Sequence, residues 1–408
     1  MSVQFFVPAR PASTDIETVL QAAVQSRAIA PFDPTLVAFV ADFAKSILLD
    51  RSARVYPELI VMANFFKAGN VAKLKDELTT ANSSLSVARG LVFHIAPSNV
   101  DSVFLYSSLI SLLCGNVNLI RISRGSGPQV SFILDKLATL LAGEHAALAD
   151  RFYVLTYEHC DAITSLISSY CHMRVVWGGD ETVKKIRSLP LRPTAAELCF
   201  PDRFSAAMLR ADGVLACDGP ALAQLAGRFF NDAIWFAQQA CSSPRLVAWI
   251  GTPEECDAAR ARFWQAFEAQ LKDKEYENSP GMAMDRFVTA CLVATDPLHR
   301  ETSALPFPTR ILLGSERLAD IKHVHCGNGL FYEQCFATVP AFLQTLTDRE
   351  QTLSVFGVEG TEMAGYLRDV PLRSLDRVTK IGQALDFGHV WDGYNLLASF
   401  TRQIPVYL

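Results

Sequence analysis

No CxxC pair occurs among the ten cysteines of this 408-residue chain. Paired zinc ligands and a disulfide framework are therefore not expected, and scattered thiols suit a reducing cytoplasm. Basic residues are not in excess: 37 Lys and Arg stand against 42 Asp and Glu, for a formal charge of −5. That balance argues against a nucleic-acid partner held by charge. No uncharged apolar run approaches the roughly 20 residues of a membrane span. The longest, Val103–Cys114, is too short and reads as a buried helix. The start, MSVQFFVPAR, lacks a basic stretch followed by an apolar core, so no secretory leader is expected. Internal repeats and low-complexity segments are also missing.

What is present is a chain half hydrophobic and 19% charged, long enough that two domains are expected rather than one core. Residues 1–85 read as mainly helical, with apolar residues at helical spacing in Ile16–Ala28 and Leu36–Leu49. The pattern then changes. Leu91–Ile95 reads as a strand, Val103–Cys114 as a helix stopped by Gly115-Asn116, and Val117–Ile122 as a second strand, together a βαβ unit. Alternation continues through strand Phe152–Thr156, helix Ala162–Tyr170, strand Arg174–Trp177 and helix Glu181–Ser188. The pattern predicts an α/β fold with a doubly wound parallel sheet, which Ser205–Leu209 is expected to continue. A long helix, Ala221–Gln238, is expected before strand Leu246–Ile250, helix Pro253–Leu271 and strands at 310–313, 329–336 and 351–358.

Chemistry concentrates near Cys241, between the expected helix and strand, flanked by Gln238, Gln239, Ala240, Ser242 and Ser243. A thiol there serves as a nucleophile if it ionises readily; a buried structural cysteine is the plainer account. Arg121, Ser123 and Arg124 close a strand of the sheet, where open α/β sheets bind ligands. Two guanidinium groups there suit a phosphate, or are simply solvated. Gly178-Gly179 before a helix suits a phosphate as well, or simple turn geometry. Asn99 after Pro97 either steadies an oxyanion or stabilises a turn. His94 reads as a core residue, and His323, His325 and Cys326 show no second pair that would make a metal site.

Phe230-Asn231 followed by Gln239, Cys241 and Arg245 resembles the nucleophile motif of the aldehyde dehydrogenase superfamily, FxxxGQxCxxxxR. Pro97-Ser98-Asn99, Gly115-Asn116 through Arg121, Gly178 with Glu181, and Glu333 through Phe336 resemble further motifs of that superfamily, in order. The segments WGGDETVKKIR, FPDRFSAAML, QQACSSPR and DRVTKIGQALDFGHVWDGYNLL resemble the long-chain acyl-CoA reductases of bacterial bioluminescence, the LuxC type. The resemblance implies an aldehyde dehydrogenase-like fold: two doubly wound α/β domains, for cofactor and catalysis, with a cleft between them. The division it suggests is a cofactor domain at 1–220, a catalytic domain at 221–370, and a segment at 371–408 that packs on the cofactor domain or a partner subunit. It implies reduction of a fatty acyl-CoA, or an acyl-protein, to an aldehyde through an acyl-Cys241 thioester. Asn99 and the Cys241 backbone N–H would then form the oxyanion hole. Arg121, Ser123, Arg124, Gly178, Gly179, Gln334 and Phe336 would bind the nicotinamide cofactor. Arg124 stands where relatives carry an acid, which implies NADPH. Cys199 stands where hydrolytic members keep a base, which leaves Glu197 or Glu333 as the base of an alternative, aldehyde-oxidising enzyme. A non-catalytic member that binds cofactor is the third reading. A homo-oligomer and an acyltransferase or acyl-protein synthetase partner are implied by the resemblance too.

Overall fold

The computed structural model describes residues 3–8, 15–80, 84–97, 103–123, 127–276, 278–303, 307–315, 318–373 and 375–407. The first part runs β1 (Gln4–Val7), α1 (Ile16–Gln25), α2 (Pro34–Leu48), α3 (Pro57–Phe65), α4 (Ala68–Thr80), β2 (Leu85–Ala88), β3 (Leu91–Ile95), α5 (Val103–Leu113), β4 (Val117–Arg121), α6 (Pro128–Ala142), β5 (Phe152–Thr156), α7 (Asp161–Tyr170), β6 (Met173–Trp177), α8 (Asp180–Arg187) and β7 (Ala196–Phe200). Then come β8 (Phe204–Arg210), α9 (Ala211–Ala216), α10 (Gly219–Ala233), β9 (Pro244–Ile250), α11 (Pro253–Asp273), α12 (Pro280–Val293), β10 (His299–Thr302), β11 (Thr309–Leu313), β12 (Leu330–Phe336), α13 (Val339–Leu343), β13 (Glu350–Phe356), α14 (Gly360–Asp369) and β14 (Arg377–Lys380). The last elements are β15 (Val390–Trp391), β16 (Tyr394–Asn395), α15 (Leu396–Phe400) and β17 (Thr401–Ile404). No helix among the described residues is long and apolar enough to cross a membrane.

Two units result. One comprises residues 1–202 with 387–408, the other residues 203–386. In the first unit the sheet order is β1-β5-β4-β3-β6-β7. The pairs β3–β4, β3–β6, β4–β5 and β6–β7 are parallel, and β1 joins β5 antiparallel. All five residues of β3 are buried, as expected for a central parallel strand. Leu91, Phe93 and Ile95 pack with Leu20, Ile167 and Val183 from α1, α7 and α8. His94 points to the other face, towards Ser107 of α5. The chain moves outward from β3 to β4 and β5, then returns to β6. The order therefore reverses between β3 and β6, and ligand crevices form at such reversals, beyond the carboxyl ends of the strands.

Gly115 and Asn116 hold this unit's carboxyl-terminal segment. Gly115 adopts φ +87°, and a Cβ there would lie 2.2 Å from the Ile29 carbonyl oxygen, so only glycine fits. Asn116 accepts the Arg89 and Gly90 N–H groups on Oδ1 and donates Nδ2 to the Phe400 carbonyl, 2.9 Å away. β17 then pairs antiparallel with β2 of the same chain. Residues 371–408 do not travel as one piece: β14 belongs to the second unit's sheet, and residues 387–408 to the first unit.

The second unit has the order β10-β11-β12-β9-β8-β13-β14, parallel except for β10. β8 is central here, paired with both β9 and β13. The expectation that Ser205–Leu209 continues the first sheet is therefore corrected. An apolar central strand fits either sheet, and only its partners decide. Ala206 and Met208 face a core with Leu246, Tyr332, Phe342 and Met363. Ala207 and Leu209 face Phe229, Phe263 and Trp264 from α10 and α11. Each buried aromatic contributes about 2 kcal/mol, so these two layers stabilise the sheet on both faces.

Candidate active site

The long helix expected up to Gln238 stops at Ala233, and the reason lies in the backbone. Phe236, Ala237 and Gln238 adopt φ of 58°, 50° and 64°, the left-handed region. Each such residue costs on the order of 1–2 kcal/mol, so neighbours must hold the turn. The Gly327-Asn328-Gly329 turn, itself left-handed throughout, does so. Asn328 N–H donates to the Ala237 carbonyl at 2.8 Å, and Gly329 N–H to Gln238 Oε1 at 3.0 Å. Gln238 Nε2 donates to the Pro244 carbonyl and Gln239 Nε2 to the Cys326 carbonyl, both at 2.8 Å. A Cβ on Gly327 would lie 2.5 Å from Gln239 Nε2. Fully buried Arg286 in turn braces the glycine turn, donating Nη1 to the Asn328 carbonyl at 2.8 Å. The motif FxxxGQxCxxxxR carries glycine where this chain carries Gln238. The left-handed φ explains glycine there, and the two amide bonds explain how a glutamine tolerates it.

Cys241 follows in the next turn and is half-buried. Its carbonyl accepts Ser205 Oγ–H at 2.6 Å, and its Sγ accepts Gln351 Nε2–H at 3.3 Å. Gln351 is 2% exposed. Neither Ser205 nor Gln351 was legible as a site residue, because Gln351 is 110 positions away along the chain and carries no local motif.

The glutamates available as bases are engaged elsewhere. Glu333 is 0% exposed. Trp249 and Trp264 donate their indole N–H groups to Oε1 at 2.9 and 2.7 Å, and Arg260 donates to both oxygens at 3.2 Å. It is a structural anchor of β12 against α11. Glu197 is held by Arg174 at 2.6 Å, with Arg187 at 3.4 Å. Burial and the Glu197 charge push the Cys199 thiol up to about 11, so it stays protonated at neutral pH. His94 is fully buried between Ser107 and Asn118, and burial holds its imidazole down to about 4. His325, buried against Phe204 and Tyr332, is held well below its ordinary value by burial and Arg245.

In the first unit, the resemblance assigns two strand ends to the dinucleotide. At the end of β4, Arg121 lies over the Tyr157 ring, 5.1 Å from its centroid, and its buried Nε–H has no acceptor among the described residues. A spare guanidinium donor at a strand's carboxyl end suits an anion. Ser123 follows in the same turn, while Arg124 and Asn99 lie outside the described residues. At the end of β6, Asp202 already occupies the α8 N-terminus, its Oδ2 accepting the Asp180 N–H at 3.3 Å. Asp180 and Glu181 add two more acids in the first turn. Three acids thus gather at the start of α8, beside the Gly178-Gly179 turn. A Cβ on Gly178 would lie 3.1 Å from Thr182 Cγ2, and one on Gly179 3.1 Å from Asp202 Oδ2. In the second unit, Gln334 is fully buried and donates to the Gly314 carbonyl, while Phe336 packs on Phe342.

Similar folds occur among solved structures. A benzaldehyde dehydrogenase from Corynebacterium glutamicum, described as NAD-dependent, is 13% identical with a TM-score of 0.68, over 96% of this chain and 87% of that one. A betaine aldehyde dehydrogenase variant from Staphylococcus aureus is 13% identical with a TM-score of 0.66, over 95% of this chain and 86% of that one. Proline utilization A from Bradyrhizobium japonicum is 15% identical with a TM-score of 0.65 over 97% of this chain. This chain spans only 45% of that protein. These likenesses show an aldehyde dehydrogenase-like fold. No curated protein sequence matches the chain. The profile of the acyl-CoA reductase (LuxC) family matches residues 69–273, half of the chain. The chain belongs to the acyl-CoA reductase (LuxC) family, built on the aldehyde dehydrogenase-like fold.

Proposed function

We propose that the protein reduces a fatty acyl-CoA thioester to the aldehyde through an acyl-Cys241 intermediate, with NADPH as reductant. The observation that carries this reading is Cys241 in a braced turn with an amide N–H on its sulfur. The Cys241 thiolate attacks the thioester carbonyl, the Sγ–C bond forms, and CoA leaves with the electron pair. The Cys241 backbone N–H and Asn99 are assigned to the oxyanion. Arg121, Ser123 and Arg124 are assigned to the cofactor's phosphates, Arg124 to the 2′-phosphate. Bound NADPH would supply the hydride that releases the acyl group as aldehyde. The alternative, hydrolytic oxidation of aldehydes, needs a free base. Glu333 and Glu197 are held by two indoles and by arginines, and Cys199 is no base.

Mass spectrometry of the intact protein mixed with a long-chain acyl-CoA tests the reading. An acyl adduct on wild type is expected, discharged by NADPH and absent from Cys241→Ala. Lack of any adduct on wild type removes the proposal.

A further inference from the structure

We infer that Gln351 is a second catalytic residue, a donor that holds the Cys241 sulfur as thiolate, aimed by breaks in register around Ser205. The inference rests on the acyl-cysteine reading for its role, though not for its test. On one side of β8, Glu350 pairs with Phe204 and Leu353 with Ala206, so Gln351 and Thr352 together oppose Ser205. On the other side, Ser205 pairs with Pro244 and Ala206 with Leu246, which leaves Arg245 as an extra residue. Such bulges redirect side chains beside active sites. Ser205 fills the gap they leave: its Oγ accepts the Thr352 N–H at 3.2 Å and donates to the Cys241 carbonyl. Cys241 is thus pinned at its carbonyl by Ser205 and at its sulfur by Gln351.

The direction of the Gln351 amide is set from behind. Arg377 Nε donates to Thr352 Oγ1 at 3.4 Å. The Thr352 hydroxyl is left with its own hydrogen, which it gives to Gln351 Oε1 at 3.2 Å. The amide nitrogen therefore turns to the sulfur. Arg377 is fixed by the carbonyls of Ala384 and Asp386. Each group donates to the next, from a cation to the thiol, and such a chain favours negative charge at its accepting end. The first residue of β13, Glu350, is anchored by a buried ion pair with Lys322 and by the Thr347 N–H. Gln351 transfers no proton. It favours the thiolate that attacks the acyl carbon, and again the thiolate that receives the electron pair when the aldehyde leaves. Thr352 and Arg377 are positioning residues.

Alkylation of the full-length protein by iodoacetamide over a pH series, with Cys241 quantified by peptide mass spectrometry, tests this without acyl-CoA. Gln351→Met keeps the shape and removes the donor. Its Cys241 alkylation at pH 7 should fall about tenfold, the size of one charge-assisted hydrogen bond, and its profile should move to higher pH. Gln351→Glu should move it further and Thr352→Val less far, while exposed Cys291 should react unchanged in all of them. A folded Gln351→Met protein with the wild-type Cys241 profile overturns the inference. If that variant does not fold, a wild-type profile in both Gln351→Glu and Thr352→Val overturns it. A shifted profile without an acyl adduct on wild type removes the acyl-CoA reading and leaves the donor in place.

Discussion

In the first unit's sheet, β3 pairs with β4 and with β6 in unbroken register up to the carboxyl end of the strands. In the second unit the candidate chemistry lies at the opposite end, at the first residues of β8 and β13 and just ahead of β9, where register breaks on both sides of Ser205. The tasks proposed for the two ends would account for the difference. An anion needs donors near the end of a strand, and regular strands provide such ends. A nucleophile needs one sulfur held in one direction. Left-handed residues and bulges, braced by side chains, supply that at a cost carried by the surrounding core. The units also bury acids differently. Glu333 is wholly enclosed by indoles and Arg260, whereas Glu197 is 19% exposed and shares two arginines.

That contrast can be broken in four ways, taken from the largest effect down. Glu333→Gln takes the buried carboxylate from two indole N–H groups and from Arg260, which keeps only Asp257, and should destabilise the protein by about 4 kcal/mol in urea titration. Glu197→Gln should cost about half as much in the same urea titration, and equal losses would show that enclosure makes no difference. His94 gives a pH signature for the first unit. Its folded value, about 4, lies below the ordinary 6.5, so the unfolded chain binds its proton first as pH falls. Stability is lost between pH 6.5 and 4, by about 3 kcal/mol. The advantage of wild type over His94→Gln should shrink by that amount across the window. Arg124→Glu sharpens the cofactor reading: KM for NADPH should rise about tenfold, and KM for NADH should change little. Equal changes would free Arg124 from the 2′-phosphate. The smallest effect belongs to Arg187→Ala. Its side chain is 64% exposed and Arg174 already holds Glu197, so a loss of about 0.5 kcal/mol or less is expected in thermal melts.

Much of the fold was legible along the chain. β3 and β5 fall at Leu91–Ile95 and Phe152–Thr156 as their apolar runs indicate, because strands buried on both faces read as continuous apolar segments. α12 was missed although its start carries a clear signal: Ser279 caps the Met282 N–H ahead of Pro280. Its outward face is apolar enough to blur the helical period, with Met284, Phe287, Val288 and Leu292 exposed. The premature end of α10 could not be read at all. Nothing in FFNDAIWFAQQ forbids helix, and the turn exists because the Gly327-Asn328-Gly329 segment docks on it.

The candidate site divides the same way. Cys241 and Arg121 stand out in the sequence because motif and strand ends are local patterns. The roles of Glu333, Gln351 and Asp202 are decided by partners distant along the chain: two indoles, a sulfur and a helix end. Local composition sets which segments become strand or helix, since those preferences act over a few residues. Whether a carboxylate becomes an anchor or a base, and whether a glycine turn meets a phosphate or an aspartate, depends on burial and donors that only the folded chain brings together.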